Sequence, residues 1–344
     1  MELPTRPRRW RPILAVAAAM LAIAGSTLAL SSADPGAEYE HQLQAESMAL
    51  YGFGKPLATS ATSASSTLPG PDAVSVAAGL KVSLVSDRVA DNADMIALWP
   101  NDTNPTYSII CNEINGAPAG SPATVQRVRL SDGQVSDMVY GLTSCDPAHR
   151  TAWGTIIIGE EAGAVGRLWE ILDPLSVSGV QVNRAAGTSS DPAHVVARTA
   201  VGQLSFEGIV GLPDGTLYYG DELRPSAGKA GGGIYKFIPS APFAGGAPIA
   251  SLASSPLAAG SVSVMRLGIR NDFSDYGQGS NIGAGRWVLL TTPADPTTWN
   301  LGAAAQAAGM TGYYRPEDMD LDPLAWAQGN TRMCWNNTGN DAAE

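Results

Sequence analysis

The sequence predicts an all-β fold, and three observations carry that prediction. Apolar runs of strand length recur along the chain. Turn residues separate them at short intervals, with 38 Gly and 24 Pro among 344 residues. Only AAAQAAG, at 303–309, reads as a helix. Hydrophobic residues make up 44% and charged residues 15%, which excludes a disordered chain and a coiled coil. Lys and Arg number 21 against 32 Asp and Glu, so no basic face is on offer to phosphate backbones, and a nucleic-acid binder is excluded. Three Cys are too few for a disulfide framework.

The N-terminus reads as an address. Arg6, Arg8, Arg9 and Arg11 precede an uncharged apolar run from Ile13 to Leu30, and Ser31, Ser32 and Ala33 follow it. Residues 1–33 are an export signal or, since the run approaches the length of a membrane span, an N-terminal anchor. The Arg8-Arg9 pair matches a twin-arginine signal, which Arg11-Pro12 fits poorly. Residues 34–72 form an arm, with room for a short amphipathic turn before the linker ATSATSASSTLPGPD at 58–72. The expected location is periplasmic or extracellular, with contact to a membrane only through an uncleaved N-terminus.

From residue 73 to 344 the chain reads as one β domain. Strands are expected at SIIC (108–111), TIIIG (155–159), GRLWEIL (166–172), TLYYG (216–220), GIYKFI (233–238) and RWVLLTT (286–292). Ser131-Asp132-Gly133 and Pro213-Asp214-Gly215 mark two hairpin turns. Four runs repeat one pattern, an apolar strand ending in acids or amides: SIICNEING (108–116), TIIIGEEAG (155–163), TLYYGDELR (216–224) and RMCWNNTGN (332–340). SFEGIVGLPDG (205–215) and RPEDMDLDPLAWAQG (315–329) add an upstream Glu, so the unit is Glu, strand, turn, strand, acid. A β-propeller accommodates such a repeat, because equivalent strand ends converge on one channel.

Carboxylates gathered at one channel repel one another unless a multivalent cation neutralises them. Oxygen ligands suit Ca²⁺ or Mg²⁺, and an added thiolate shifts the preference toward a transition metal. Taken singly, each acid reads equally well as a solvated strand-end residue.

CDPAHRTAWGTIIIGEE (145–161), SFEGIV with LYYGDE (205–222), GGGIYKFIP (231–239), YYRPEDMDLDP (313–323) and WNNTGND (335–341) together resemble the PhoX-type alkaline phosphatase family. The resemblance spans roughly 85–344. It implies an exported six-bladed propeller with a central site of Fe³⁺ and Ca²⁺ that hydrolyses small phosphate monoesters; the chain is short for such a ring, so the expectation is an incomplete ring or a sequence truncated at its C-terminus. It implies Cys145 as an iron ligand, Glu207 and Glu317 as metal ligands, and Arg315 as the catalytic phosphate-binding residue. Glu113, Glu161, Asp221 and Glu222 are implied as further metal-binding acids. Asp146-Pro147 and Phe206 depart from the family pattern, which has small residues after the Cys and His before the Glu. The expected state is a monomer.

No G-x-S-x-G is present and the three His lack evident partners, so metal-led chemistry is the more economical reading. A calcium-stabilised propeller acting as a non-catalytic binding module is the alternative. A lactone- or alcohol-converting propeller is a third, supported by the acids alone. Cys111 and Cys334 sit in apolar strands and read as core or as partners of each other. His149 and His194 read as surface residues, and Trp153, Trp169, Trp326 and Trp335 as packing.

Overall fold

Seventeen strands form four sheets among the described residues of the computed structural model. These residues are 80–339, except 117, 119, 227–229 and 269–282, together with 74 and 76. The proposed signal and the whole of the arm and linker lie outside them. Residues Val85–Glu344 form one compact unit, and the fold concerns it alone.

The first sheet holds β1 (Ala93–Trp99), β2 (Tyr107–Asn112), β3 (Val125–Arg129) and β4 (Gln134–Tyr140). Beyond them lie β8 (Val180–Asn183) and β9 (Thr188–Ser189). The second runs from β5 (Cys145–Arg150) through β6 (Thr155–Glu160) and β7 (Leu168–Leu172) to β10 (Val195–Ala197). The third runs from β11 (Phe206–Gly211) through β12 (Leu217–Asp221), β13 (Ile234–Pro239) and β14 (Gly260–Leu267) to β15 (Gly285–Leu289). The fourth pairs β16 (Pro316–Leu321) with β17 (Met333–Asn337). Within each sheet the strand earliest in sequence is an edge strand, and its partner is the next strand in the chain.

Both expected hairpins form, at Ser131–Gly133 between β3 and β4 and at Pro213–Gly215 between β11 and β12. The helical reading of AAAQAAG holds as α1 (Leu301–Ala307), capped by the Asn300 side chain; α2 (Pro323–Ala327) is a single turn capped by Asp322.

Three apolar clusters lie between successive sheets. Ile109, Val125 and Met138 meet Ile156, Ile158 and Trp169 between the first and second. Ile157 and Leu168 meet Phe206, Tyr219 and Phe237 between the second and third. Val210 and Ile234 meet Met319 and Trp335 between the third and fourth. The run TIIIG is unbroken rather than alternating because both faces of β6 are covered: Ile156 and Ile158 point one way and Ile157 the other. None of the four sheets closes on itself, and the described residues hold four sheets where a six-bladed ring asks for six.

Candidate metal and phosphate site

Each edge strand that opens a sheet breaks its register at one place. The irregularity falls between Ala93 and Ile96, Cys145 and Ala148, Phe206 and Ile209, and Pro316 and Met319. A bulge of this kind re-aims the side chains within it. The first residue inside it is Asp94, Asp146, Glu207 or Glu317. The partner strand then ends on Asn112, Glu160, Asp221 or Asn337, paired with the residue before the bulge. The next residue is Glu113, Glu161, Glu222 or Thr338, and its N–H donates back across the sheet to Asn92, Ser144, Ser205 or Arg315 at 2.8–3.0 Å. Four sheets thus present one template, and seven of its eight forward positions are acids.

These acids form one connected group. Carboxyl oxygens of Asp94, Glu113 and Asp146 lie within 4.8 Å of one another. Asp146 hydrogen-bonds Glu207. Glu161 bonds Glu222 and Glu113, and Glu222 bonds Glu317. Close approach of β11 to β16 needs Gly208, since a Cβ there would stand 2.2 Å from the Met319 nitrogen. Arg315 supplies the group's guanidinium, bridging to Glu222 and lying 3.8 Å from Glu317. Its backbone is left-handed, φ 53°, as are those of Asn92 and Ser144 at the equivalent positions, φ 58° and 41°.

Burial and mutual repulsion raise most of these groups. Burial and then Glu222 push Glu161 up to about 9. The same two causes push Glu317 up to about 7. Burial and then Asp146 push Glu207 far up, and burial followed by Glu113 raises Asp94. Burial works against Glu222 too, but hydrogen bonds from Glu161 and Glu317 and the Arg315 charge hold it below its ordinary value.

The structure thus brings together Glu113, Glu161, Glu207, Glu222, Glu317 and Arg315, all expected from sequence. It corrects two others. Cys145 is joined to Cys111 in a buried disulfide, so it has no thiolate for iron. Asp221 precedes Glu222 on the strand and therefore faces the other way, where its Oδ1 accepts from the Ser205 N–H at 3.3 Å. Burial pushes Asp221 up to about 7. Asp94 and Asp146 are additions. Their signal is an acid at the second residue of each opening strand, ADMIA, CDPAH, FEGIV and PEDMD.

The remaining expectations divide. The disulfide displaces the Cys111–Cys334 alternative, and Cys334 is a free, exposed thiol rather than core. His149 is not a surface residue: its Nε2 is buried, and burial pulls the imidazole down to about 4. His194 is half-exposed, with Nδ1 2.8 Å from Asp191. Trp153 and Trp169 are buried, Trp335 packs edge-on against Tyr313, and Trp326 is exposed.

The T-x-W-G-T run serves the framework. Trp153 Nε1 and Thr155 Oγ1 each donate to buried Glu170 at 2.6 Å, and Ser255 and Arg198 complete its shell. Gly154, φ 84°, lets Pro248 approach where a Cβ would stand 2.5 Å from it.

No family model matches the chain, and no curated protein matches it. Among solved structures it is similar to "Pseudomonas fluorescens PhoX in complex with vanadate, a transition state analogue", with 16% identity and a TM-score of 0.46. The match covers 69% of this chain and 57% of that one, so the chain spans little more than half of that protein's length.

Proposed function

We propose that this protein is an exported, metal-dependent phosphomonoesterase built on a β-propeller. The observation that carries the reading is the convergence of seven carboxyl groups and one guanidinium on a template repeated in four sheets. Seven ionised acids against one cation are untenable without metal, and oxygen-only donors suit Ca²⁺. Asp94, Glu113 and Asp146 would hold one cation, and Glu161, Glu207, Glu222 and Glu317 the remaining charge. Fe³⁺, the other metal of the family resemblance, would have carboxylates alone, since Cys145 is committed to Cys111.

Bound cations would supply neutralisation of the phosphoryl oxygens and a water of lowered pKa. The chain's own contribution is positioning. Arg315 offers a planar fork to two phosphate oxygens, and its pairing with Glu222 and Glu317 aims it before substrate arrives. Glu161 and Glu317, raised toward neutrality in the bare site, can each hold a proton at a carboxyl oxygen facing the group. The disulfide supports the export reading, because the cytosol keeps such thiols reduced.

A calcium-stabilised binding module is the second reading. The Arg315–Glu222 pair favours it, since a purely structural arginine would be engaged in the same way. Hydrolysis of p-nitrophenyl phosphate by the purified full chain, with calcium, with calcium plus ferric iron, and after chelation, separates the two. Turnover that chelation removes and calcium restores is expected. No turnover in any of these states, with calcium bound and the fold intact by circular dichroism, would leave the binding module.

A further inference from the structure

Asp94, Glu113 and Asp146 come from two sheets that share no strand ladder. Asp94 and Glu113 belong to the first sheet, where β1 pairs with β2 and the Glu113 N–H donates to the Asn92 carbonyl at 2.8 Å. Asp146 belongs to the second sheet, inside the bulge of β5. Their carboxyl oxygens nonetheless stand within 4.8 Å of one another. Ionised groups at that spacing repel, and the repulsion pushes the start of β5 away from the first sheet.

The apolar contact between the two sheets is not enough to fix this spacing. Apolar packing is non-directional, whereas oxygen ligands must meet calcium at about 2.3–2.6 Å. The loops beyond the acids meet at a short bridge between Asn115 and Thr143. At the acids themselves the covalent link is the Cys111–Cys145 disulfide. Cys145 immediately precedes Asp146, and Cys111 stands two residues before Glu113. The two Cα atoms are 5.0 Å apart and both side chains are fully buried. The bond therefore pins the end of β2 to the start of β5, at the backbone that carries one acid from each sheet.

We infer that the Cys111–Cys145 disulfide is the positioning element of the Asp94–Glu113–Asp146 cation site, so that oxidation of this pair of thiols assembles the site and reduction loosens it. The inference rests on the metal-binding part of the proposed function and not on hydrolysis. Closing the bond passes two electrons and two protons from the thiols to a disulfide oxidant, which becomes a dithiol. A chain kept in a reducing compartment would hold the same three acids without the restraint, and would bind calcium there weakly until the bond closed. Burial of both cysteines keeps dissolved reductants from the finished bond, so the site is set once, at folding.

Calcium titration calorimetry of the purified full chain tests this, with Asp94→Asn marking the heat that belongs to the three-acid site. Replacing both bridged cysteines by Ser should weaken that component about tenfold or more and leave the remaining calcium heat at parent strength. Glu170→Ala, a framework variant on β7, should leave the component within about twofold of the parent. Equal losses in the two variants, or a parent-like component in a folded double-Ser protein, would overturn the inference. If the double variant does not fold, the parent supplies the same quantity by linkage: the factor that oxidation adds to calcium affinity is the factor that calcium adds to the disulfide's resistance to reduction. The ratio of reduced to oxidised dithiothreitol at half-reduction should then rise about tenfold or more in saturating calcium, and by less in Asp94→Asn. An equal rise in both also overturns it. A parent that binds no calcium ends the metal reading and this inference with it, whereas calcium binding indifferent to the disulfide ends this inference alone.

Discussion

Glu207 and Asp146 occupy the same place in two successive sheets and lie side by side, and burial followed by Asp146 raises the Glu207 carboxyl far above its ordinary value. Neutral carboxyl groups avoid the repulsion that neighbouring buried carboxylates would feel, and under the proposed function a bound cation would take over that role.

Stability of the metal-free protein should therefore fall as pH rises. Glu161 stands at about 9, and Glu317 and Asp221 at about 7, against ordinary values of 4.5, 4.5 and 3.8. Below the ordinary values folded and unfolded chains are both protonated and this stabilisation is complete. Above them the unfolded chain releases its protons first, so stabilisation drains away until the folded groups ionise, near pH 9 for Glu161. Glu222, held below its ordinary value, acts in the opposite sense at acid pH. Melting temperature in chelator should decline from about pH 5 to 9, and the gain on adding millimolar calcium should widen over the same range. A chelated protein that grows more stable across this window would contradict the assignment.

Arg315→Asn should separate chemistry from architecture. Asn tolerates the left-handed backbone that Arg315 adopts, and Asn92 already stands at the equivalent position of the first sheet. Calcium binding and fold should persist. Phosphomonoester kcat/KM should drop by about 10- to 100-fold, the worth of a charge-assisted bidentate contact, and Arg315→Lys should recover only part of it. Parent-level kinetics in Arg315→Asn would assign Arg315 to structure alone.

The cysteines give a sharper chemical test. In the native protein a maleimide should label Cys334 and leave Cys111 and Cys145 untouched. Replacing both bridged cysteines by Ser opens a loop of sequence separation 34 and should cost about 3–4 kcal/mol in urea denaturation. Native labelling of Cys145 would return a thiolate to the site.

Glu170 should matter for stability. Four side chains converge on its buried carboxylate, including the Arg198 guanidinium at 2.5 Å. Glu170→Ala leaves that guanidinium 8% exposed with no counter-charge and should cost about 3–5 kcal/mol. The calcium-induced rise in melting temperature should survive in whatever fraction folds. Loss of calcium binding from a folded Glu170→Ala protein would tie the framework to the site more closely than the geometry does.

Much of this site was legible because the repeat is written in strand ends. Glu113, Glu161 and Glu222 follow short apolar runs of strand length, and Glu207 and Glu317 head the matching strands. Asp94 and Asp146 escaped because Met95 and Pro147 follow them, and a bulge leaves no trace in a period-two pattern. Asp221 and Glu222 are neighbours of the same charge, so only sheet register tells which faces the group. The partner of Cys145 was hidden because it lies on a different sheet, at the end of β2. W-G-T looked like a signature of chemistry, and its Trp and Thr answer instead to a Glu on the neighbouring strand, a contact set by register.

The position held by Arg315 recurs as Asn92, Ser144 and Ser205, each receiving the same backbone N–H from the partner strand. Polarity in this site is therefore a matter of address: one backbone hydrogen bond is copied four times, three of the copies share the left-handed conformation, and a single copy bears the cation. Exchanging the residues at 92 and 315 would move the positive pole to another sheet while every acid stayed in place. Under the proposed function, the face offered to phosphate would then change with two substitutions. Under the proposed function, a scaffold of this kind could vary the orientation of a bound phosphate separately from its affinity for metal.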